Sequence, residues 1–305
     1  MTTNASPSVT KAWVLAARPR TLPLAIACIA LGSFMAAVDG DFRWGVTLLA
    51  VVTAVFLQIL SNLANDYGDS VHGADSSARL GPKRAVQSGL ISANAMKTAM
   101  GLTALGAAVS GLALLWVAFG DQAWTMLLIF LGLGAAAIAA AVLYTNGIKP
   151  YGYAGLGDLF VFIFFGWVGV MGTYFLQAQA FNWLVLLPAT SCGLLAVAVL
   201  NVNNIRDIES DRQAGKFSLP VRLGLQKARL YHWLLLVGAV VAAFVYTVVT
   251  YDAIWQFLFV VALPLLWLNG RTVANSPPHT LNPMLKQLSL STLVFILAFG
   301  VGQIL

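Results

Sequence analysis

Hydrophobic positions along this chain come in long, nearly unbroken runs, and polar positions collect between them. About 20 predominantly apolar residues suffice to cross a bilayer. On that rule the runs predict nine helices, at approximately 22 to 38, 44 to 64, 95 to 119, 123 to 143, 157 to 177, 183 to 204, 228 to 249, 253 to 269 and 288 to 305. The polar intervals are unequal. DGDFR, GDQ, QAQAF and YD are mere turns, whereas the loops after the second and sixth runs each exceed roughly twenty residues. Loops that long in a compact protein are more often functional than accidental. The pattern describes one all-α, polytopic membrane domain over residues 1–305, a nine-helix bundle led by a short cytoplasmic segment, 1–20.

Composition agrees. The chain is 59% apolar and 9% charged over 305 residues, against roughly 25% charged in soluble domains. Its 27 glycines allow close helix packing, as at membrane interfaces lined by small residues. Cys28 and Cys192 both fall in apolar runs, which argues against a disulfide framework or a paired-Cys metal site. The first residues lack an early basic region and a nearby cleavage site, so no removable signal peptide is expected. The net charge of +6 reads as topology and not as nucleic-acid binding. With the N-terminus inside, Lys11, Arg18, Arg20, Arg79, Lys83, Arg84, Lys97, Lys149, Arg206, Arg212, Lys216, Arg222, Lys227, Arg229, Arg271 and Lys286 are cytoplasmic. That is sixteen of the seventeen basic residues, and only Arg43 lies outside.

Two polar stretches change the picture from topology to chemistry. NVNNIRDIESD places Asn203, Asp207 and Asp211 at four-residue intervals, which on a helix share one face. NLANDYGD places Asn62, Asn65, Asp66 and Asp69 at offsets 0, 3, 4 and 7, again on one face. Each follows a hydrophobic helix, the second or the sixth, and precedes a basic loop carrying Arg79, Lys83 and Arg84 or Lys216 and Arg222. Both motifs are expected at cytoplasmic helix ends. Carboxylates there are costly unless a positive group sits between them, and Mg²⁺ commonly takes one or two carboxylates plus phosphate oxygens. The separation of Asn65 and Asn203, 203 − 65 = 138 residues, suggests an internal duplication of helices 1 to 4 in helices 5 to 8.

Weaker signals surround these. A lesser reading of Asn62 and Asn203 is interhelical hydrogen-bond glue. YTNGIKPYGYAGLGD, between helices 4 and 5, offers Tyr144 and Lys149 to the motifs. Its Tyr151 and Tyr153 could serve there or as interfacial anchors. Asp158 could cap helix 5. Asp39, Asp41, Asp121 and Asp252 read as solvated turn charges, and His72, His232 and His279 share no catalytic spacing.

With SNLANDYGD, KPYGYAGLGD, VLNVNNIRDIESDRQAGK and VRLG in view, the whole chain resembles the UbiA-type intramembrane aromatic prenyltransferases, and within them the 1,4-dihydroxy-2-naphthoate polyprenyltransferase branch of menaquinone biosynthesis. The resemblance implies Mg²⁺-dependent transfer of a polyprenyl group from polyprenyl diphosphate to an aromatic acid. For the naphthoate, carbon dioxide and diphosphate are lost and the product is demethylmenaquinone. Asn65 and Asp69 match the first motif and Asp207 and Asp211 the second. Where many members continue Asn-x3-Asp-x3-Asp, this chain has Gly73, and the next carboxylate is Asp75. The expected site has Asp66, Asp69, Asp207 and Asp211 as catalytic carboxylates. Asn65, Asp69, Asn203, Asp207 and Asp211, with Asp75 if its loop folds back, would be metal ligands. Arg79, Lys83, Arg84, Lys149, Lys216 and Arg222 would hold diphosphate, and Asn62, Tyr67, Tyr144, Tyr151 and Asn204 would line the substrate pocket. The alternatives are another acceptor such as 4-hydroxybenzoate, or an ion-coupled transporter, which a duplicated bundle with carboxylates would also suit. CDP-alcohol phosphotransferases also use aspartate-rich helices, but their Asp-Gly and Ala-Arg elements are missing from these motifs.

Overall fold

A computed structural model describes residues 8–72, 84–120 and 124–305. Among them are nine helices long and apolar enough to cross a membrane: Val9–Val38, Trp44–Val71, Ala93–Phe119, Trp124–Leu143, Gly157–Ala178, Trp183–Arg206, Leu225–Val249, Ile254–Asn275 and Asn282–Ile304. They match the nine expected runs, and the differences lie at the ends. The first span starts at Val9 and breaks at Arg18, which adopts a left-handed conformation (φ 49°) before Pro19. Proline disfavours the helical region for the residue preceding it, so the chain turns there and re-enters a helix at Leu22.

The second span runs on to Val71, beyond its apolar stretch. The extra turns are held from outside: Thr145 Oγ1 and Asn146 Nδ2 donate to the Ala64 carbonyl at 3.0 and 2.9 Å. Gly68 permits that approach, since a methyl group there would fall 2.5 Å from the Thr145 carbonyl oxygen. The sixth span does the opposite. It ends at Arg206, Asp207 bends the chain, and a short helix Ile208–Gln213 follows. The straight helix expected through Asn203, Asp207 and Asp211 is therefore bent. The four-residue bonding survives the bend, with Asp207 N–H donating to Asn203 C=O at 3.2 Å and Asp211 N–H to Asp207 C=O at 2.8 Å.

Packing separates inner spans from outer ones. The second span lies along the third, the sixth along the seventh, and the ninth against the first. The fifth and sixth meet at glycines: a methyl on Gly166 would lie 2.8 Å from the Ala189 carbonyl oxygen and 3.0 Å from Gly193 Cα. The fourth span has no buried residue and lends one face to a cavity described below. Trp44, Trp124 and Trp183, each mostly exposed, open the second, fourth and sixth spans. Tryptophan is enriched at membrane–water interfaces, and these three stand at the starts of their spans, the end opposite the motifs.

Candidate functional site

The two motifs converge. Asp69, Asp207 and Asp211 are all buried, and a buried charge is tolerable only when paired and hydrogen-bonded. Asp69 is gripped by Arg84, whose Nη2 lies 2.5 Å from its Oδ2, and Tyr153 donates its hydroxyl to Oδ1 at 2.9 Å. Lys216 links the motifs directly, its Nζ 3.8 Å from Asp69 and 3.6 Å from Asp211. Asn65 Oδ1 accepts from Arg84 Nη1 at 2.5 Å and from Arg18 Nη2 at 3.1 Å. Arg84 also reaches the Asn65 backbone carbonyl. On the second motif, Arg206 Nε and Nη2 hold both oxygens of Asp207 at 2.8 and 2.5 Å, and Nη2 also donates to Asn203 Oδ1 at 2.9 Å.

Beside this cluster lies a cavity of about 570 Å³ walled by the first six spans together with Leu285 of the ninth. Arg18, Arg20, Asn62, Asn65, Asn203 and Tyr144 line its polar part. The remaining wall is overwhelmingly apolar, with Phe130, Phe160 and Phe164 among its residues. Tyr151 belongs to that wall. Its ring stacks on Phe160 at 4.1 Å and its hydroxyl donates to the Ala140 carbonyl at 2.8 Å. Asn62 lines the cavity while donating to the Ala17 carbonyl and Thr21 Oγ1, so it is lining and interhelical glue together.

Electrostatics tighten the cluster. Burial works to lower the Lys216 pKa, but Asp211 and then Asp69 outweigh it and hold the ammonium above the ordinary lysine range. Burial pushes the Tyr144 phenol up to about 12, with Lys216 pulling the other way and Asp69 and Asp211 adding to the rise. Tyr153 rises further, through burial and then the Asp69 carboxylate. Lysine and both phenols therefore keep their protons at neutral pH. They are donors to anions.

Several expected site residues fall elsewhere. Asp66 accepts the backbone N–H groups of Ala85 and Val86, both at 3.1 Å, and so tethers the segment that carries Arg84. Its two oxygens serve backbone amides, which makes it a structural carboxylate. The Tyr67 ring lies 5.2 Å from Lys97 Nζ and packs on the small apolar cluster around Leu63 and Met96, not in the cavity. Asn204 is buried outside the cavity lining, and Lys149 is exposed on its turn. Arg222 donates to the carbonyls of Phe217 at 3.0 Å and Ala154 at 2.7 Å, clasping two loops together. Asp75, Arg79 and Lys83 lie outside the described residues. Of the two readings of Tyr153 the structure favours service to the motifs, and it adds Arg18, Arg20, Arg206 and Asn282 to the neighbourhood. The basic ones among them had read as topology charges, although Arg206 sits directly beside Asp207 in the chain.

The donor set fits a hard divalent cation. Asp69 and Asp211 flank one positive charge, and Mg²⁺ characteristically takes one or two carboxylates with the remainder from phosphate and water. Among the described residues, no group of three or more His, Cys, Asp or Glu forms a complete cage. A metal held here would draw its other oxygens from asparagine, water or a bound phosphate.

A nine-span bundle with two acidic helix ends sharing a lysine, set over an apolar cavity, defines an intramembrane site for a molecule with an anionic head and a hydrophobic tail. The chain belongs to the UbiA prenyltransferase family, whose pattern matches residues 25–301. It is 47% identical over 301 residues to 1,4-dihydroxy-2-naphthoate octaprenyltransferase of Escherichia coli, covering 97% of each chain. Identity to the protein of the same name from Mycobacterium tuberculosis is 42% over 287 residues, 94% of each. Among solved structures, a UbiA homologue from Aeropyrum pernix superposes with a TM-score of 0.67 at 18% identity, covering 91% of this chain and 96% of that one. One from Archaeoglobus fulgidus bound to GPP and Mg²⁺ gives 0.60 at 16% identity, covering 96% and 99%. These two likenesses concern the fold.

Proposed function

We propose that this protein transfers a polyprenyl group from polyprenyl diphosphate to 1,4-dihydroxy-2-naphthoate, releasing diphosphate and carbon dioxide, as a step of menaquinone biosynthesis. The observation that carries the reading is the convergence of Asp69 and Asp211 on Lys216 beside a cavity with an apolar wall. Near-full-length identity of 42–47% to enzymes named for the naphthoate acceptor supports the choice of substrate. Mg²⁺ held by Asp69 and Asp211, with Asn65, Asn203 and Asp207 close by, would neutralise charge on the departing diphosphate. Arg84 and Lys216 supply fixed positive charge to the same group as the allylic carbon–oxygen bond breaks.

The allylic cation left behind requires a wall that excludes water. The apolar cavity provides one, and the faces of Tyr151, Phe160 and Phe164 attract a cation. The ring carbon bearing the carboxylate attacks the cation, a carbon–carbon bond forms, and loss of that carboxylate as CO₂ returns its electron pair to the ring. The product is the quinol form of demethylmenaquinone. The motif-bearing end is assigned to the cytoplasm, on the strength of the sixteen basic residues placed there.

The test is a reconstitution. Purified protein with a polyprenyl diphosphate and Mg²⁺ is offered 1,4-dihydroxy-2-naphthoate or 4-hydroxybenzoate. The expected result is prenylated product, diphosphate and CO₂ with the naphthoate, abolished by EDTA. Preference for 4-hydroxybenzoate, or no diphosphate release with either acid, would overturn the assignment.

A further inference from the structure

The ninth span lies outside the two suggested repeats, yet it reaches the second motif. Asn282, its first residue, accepts at one side-chain oxygen from two arginines, Arg20 Nη1 and Arg206 Nη1, both at 3.0 Å. Arg20 lines the cavity. Arg206 is 0% exposed, among the largest completely buried side chains of the described residues, and all three of its nitrogens are engaged: Nε and Nη2 on Asp207, Nη2 on Asn203, Nη1 on Asn282.

We propose that Arg206 and Asn282 are positioning residues that fix Asn203 and Asp207 and tie them to the cavity wall through Arg20. The inference rests on the reading above, in which the second motif meets a metal diphosphate. Its physical basis is the planar guanidinium fork, which can hold a carboxylate bidentately and still donate elsewhere, where a lysine offers a point charge. A carboxylate has about four acceptor sites. The fork addresses one site on each Asp207 oxygen and so fixes the plane of the carboxylate. Asn282 in turn sets the rotation of the fork, since the Nη1 bond ties Arg206 to another span, the ninth. Were Arg206 merely a topology charge, its neighbours would be solvent or lipid headgroups, not the buried Asp207 and the half-buried Asn203 and Asn282.

Groups that orient metal ligands typically alter metal affinity by about 10- to 100-fold when removed. The test measures Mn²⁺ binding by electron paramagnetic resonance in the presence of inorganic diphosphate, on the purified full chain, together with thermal midpoints and the Mg²⁺ concentration for half-maximal activity. Arg206→Lys and Asn282→Ala are expected to weaken Mn²⁺ binding about tenfold and to raise the Mg²⁺ requirement alike. The comparison is Asn201→Ala, a buried asparagine of the same span that donates to the Ala228 carbonyl, expected to leave Mn²⁺ affinity unchanged. If Arg206→Lys fails to fold, Asn282→Ala decides the matter from its half-buried helix start. Unchanged Mn²⁺ affinity in Asn282→Ala would overturn the inference. So would an affinity loss in it that Asn201→Ala reproduces with the same drop in thermal midpoint. Failure of the underlying reading looks different: the unaltered protein would show no diphosphate-dependent Mn²⁺ binding, or Asp207→Asn would leave it intact, and the inference would fall with it.

Discussion

The two acidic motifs share spacing and side but are neutralised in different ways. The first lies within a continuous helix and takes its cations from distant segments: Arg84 from beyond the span's end, Lys216 from the loop after the sixth span, Arg18 from the break in the first. The second bends at Asp207 and carries a cation of its own, the adjacent Arg206. Asp69 is thus a junction of several elements, while Asp207 belongs to a compact local unit. A repeated spacing fixes where the carboxylates stand, and the surrounding fold decides what each can exchange with a ligand.

The largest expected effect breaks the comparison at its junction. Asp69→Asn removes the charge that Arg84, Lys216 and Tyr153 all address, and turnover should fall by about 10³-fold or more, the scale of several kcal/mol of lost charge stabilisation. The folded protein should remain, because the amide keeps the size of the carboxylate. Asp66→Asn, three residues away, should behave oppositely. It presents an NH₂ group to one of two backbone donors, so it should lower the thermal midpoint while the surviving fraction keeps a turnover within about tenfold of normal, since leaving a buried donor unsatisfied costs about 1–3 kcal/mol of stability. Equal catalytic losses in the two variants would erase the distinction between a reacting and a tethering carboxylate.

Lys216 sharpens the comparison because it alone touches both motifs among the described ion pairs. Lys216→Met keeps the length and removes the charge, leaving Asp69 and Asp211 to repel each other. Turnover is expected to fall roughly 10- to 100-fold, with the Mg²⁺ requirement decreasing, as a bound cation then relieves the repulsion. The pH behaviour follows from the direction of the shift. Burial acts to lower the pKa, but Asp211 and Asp69 raise it above the unfolded value. The stabilisation from this lysine is therefore fully present below an unfolded pKa of about 10.4, and is lost only as pH rises through the higher folded value. Stability of wild type relative to Lys216→Met should stay constant from about pH 6 to 9. A difference that declines across that window would remove the ammonium from between the carboxylates.

Much of this architecture was legible in the sequence. The nine apolar runs needed only the thickness of a bilayer, and the convergence of Asn65, Asp69, Asn203 and Asp211 was foreshadowed by helical spacing. What stayed hidden were partnerships across the bundle. Arg206 looked like one more inside charge because charge counting treats every basic residue alike, although its position beside Asp207 was the available signal. Asn282 could not be foreseen, since nothing local links the start of the ninth span to the end of the sixth. Asp66 misled because a helix face groups carboxylates without revealing that the Ala85 and Val86 amides return to one of them. The longer second span was hidden for the same reason: Thr145 and Asn146 support its polar end from eighty residues away.

The smallest expected effect concerns Arg222, which on sequence grounds alone is a counterpart of Arg84. Both follow an acidic motif on a long loop, and both offer a guanidinium fork. Their surroundings divide them. Arg84 is buried against Asp69 and Asn65, whereas Arg222 spends Nε and Nη2 on the carbonyls of Phe217 and Ala154. There it closes the loop after the second motif onto the turn between the fourth and fifth spans. Gly155 marks the tightness of that junction, with a left-handed φ of 76° and no room for a methyl group beneath the Arg222 side chain. Arg222→Lys should therefore cost about 1 kcal/mol of stability or less, through the loss of one exposed hydrogen bond or two. The Michaelis constants for prenyl diphosphate and for the aromatic acid should both stay within about threefold, a change worth under 1 kcal/mol. Arg84→Lys, by contrast, should raise the prenyl diphosphate constant or depress turnover by about tenfold or more, because a lysine's point charge cannot reproduce the planar fork that reaches Asp69 and Asn65 together. Kinetics with each substrate varied in turn separate the two arginines. A selective rise in the prenyl diphosphate constant for Arg222→Lys would return this residue to the binding site and restore the symmetry between the loops.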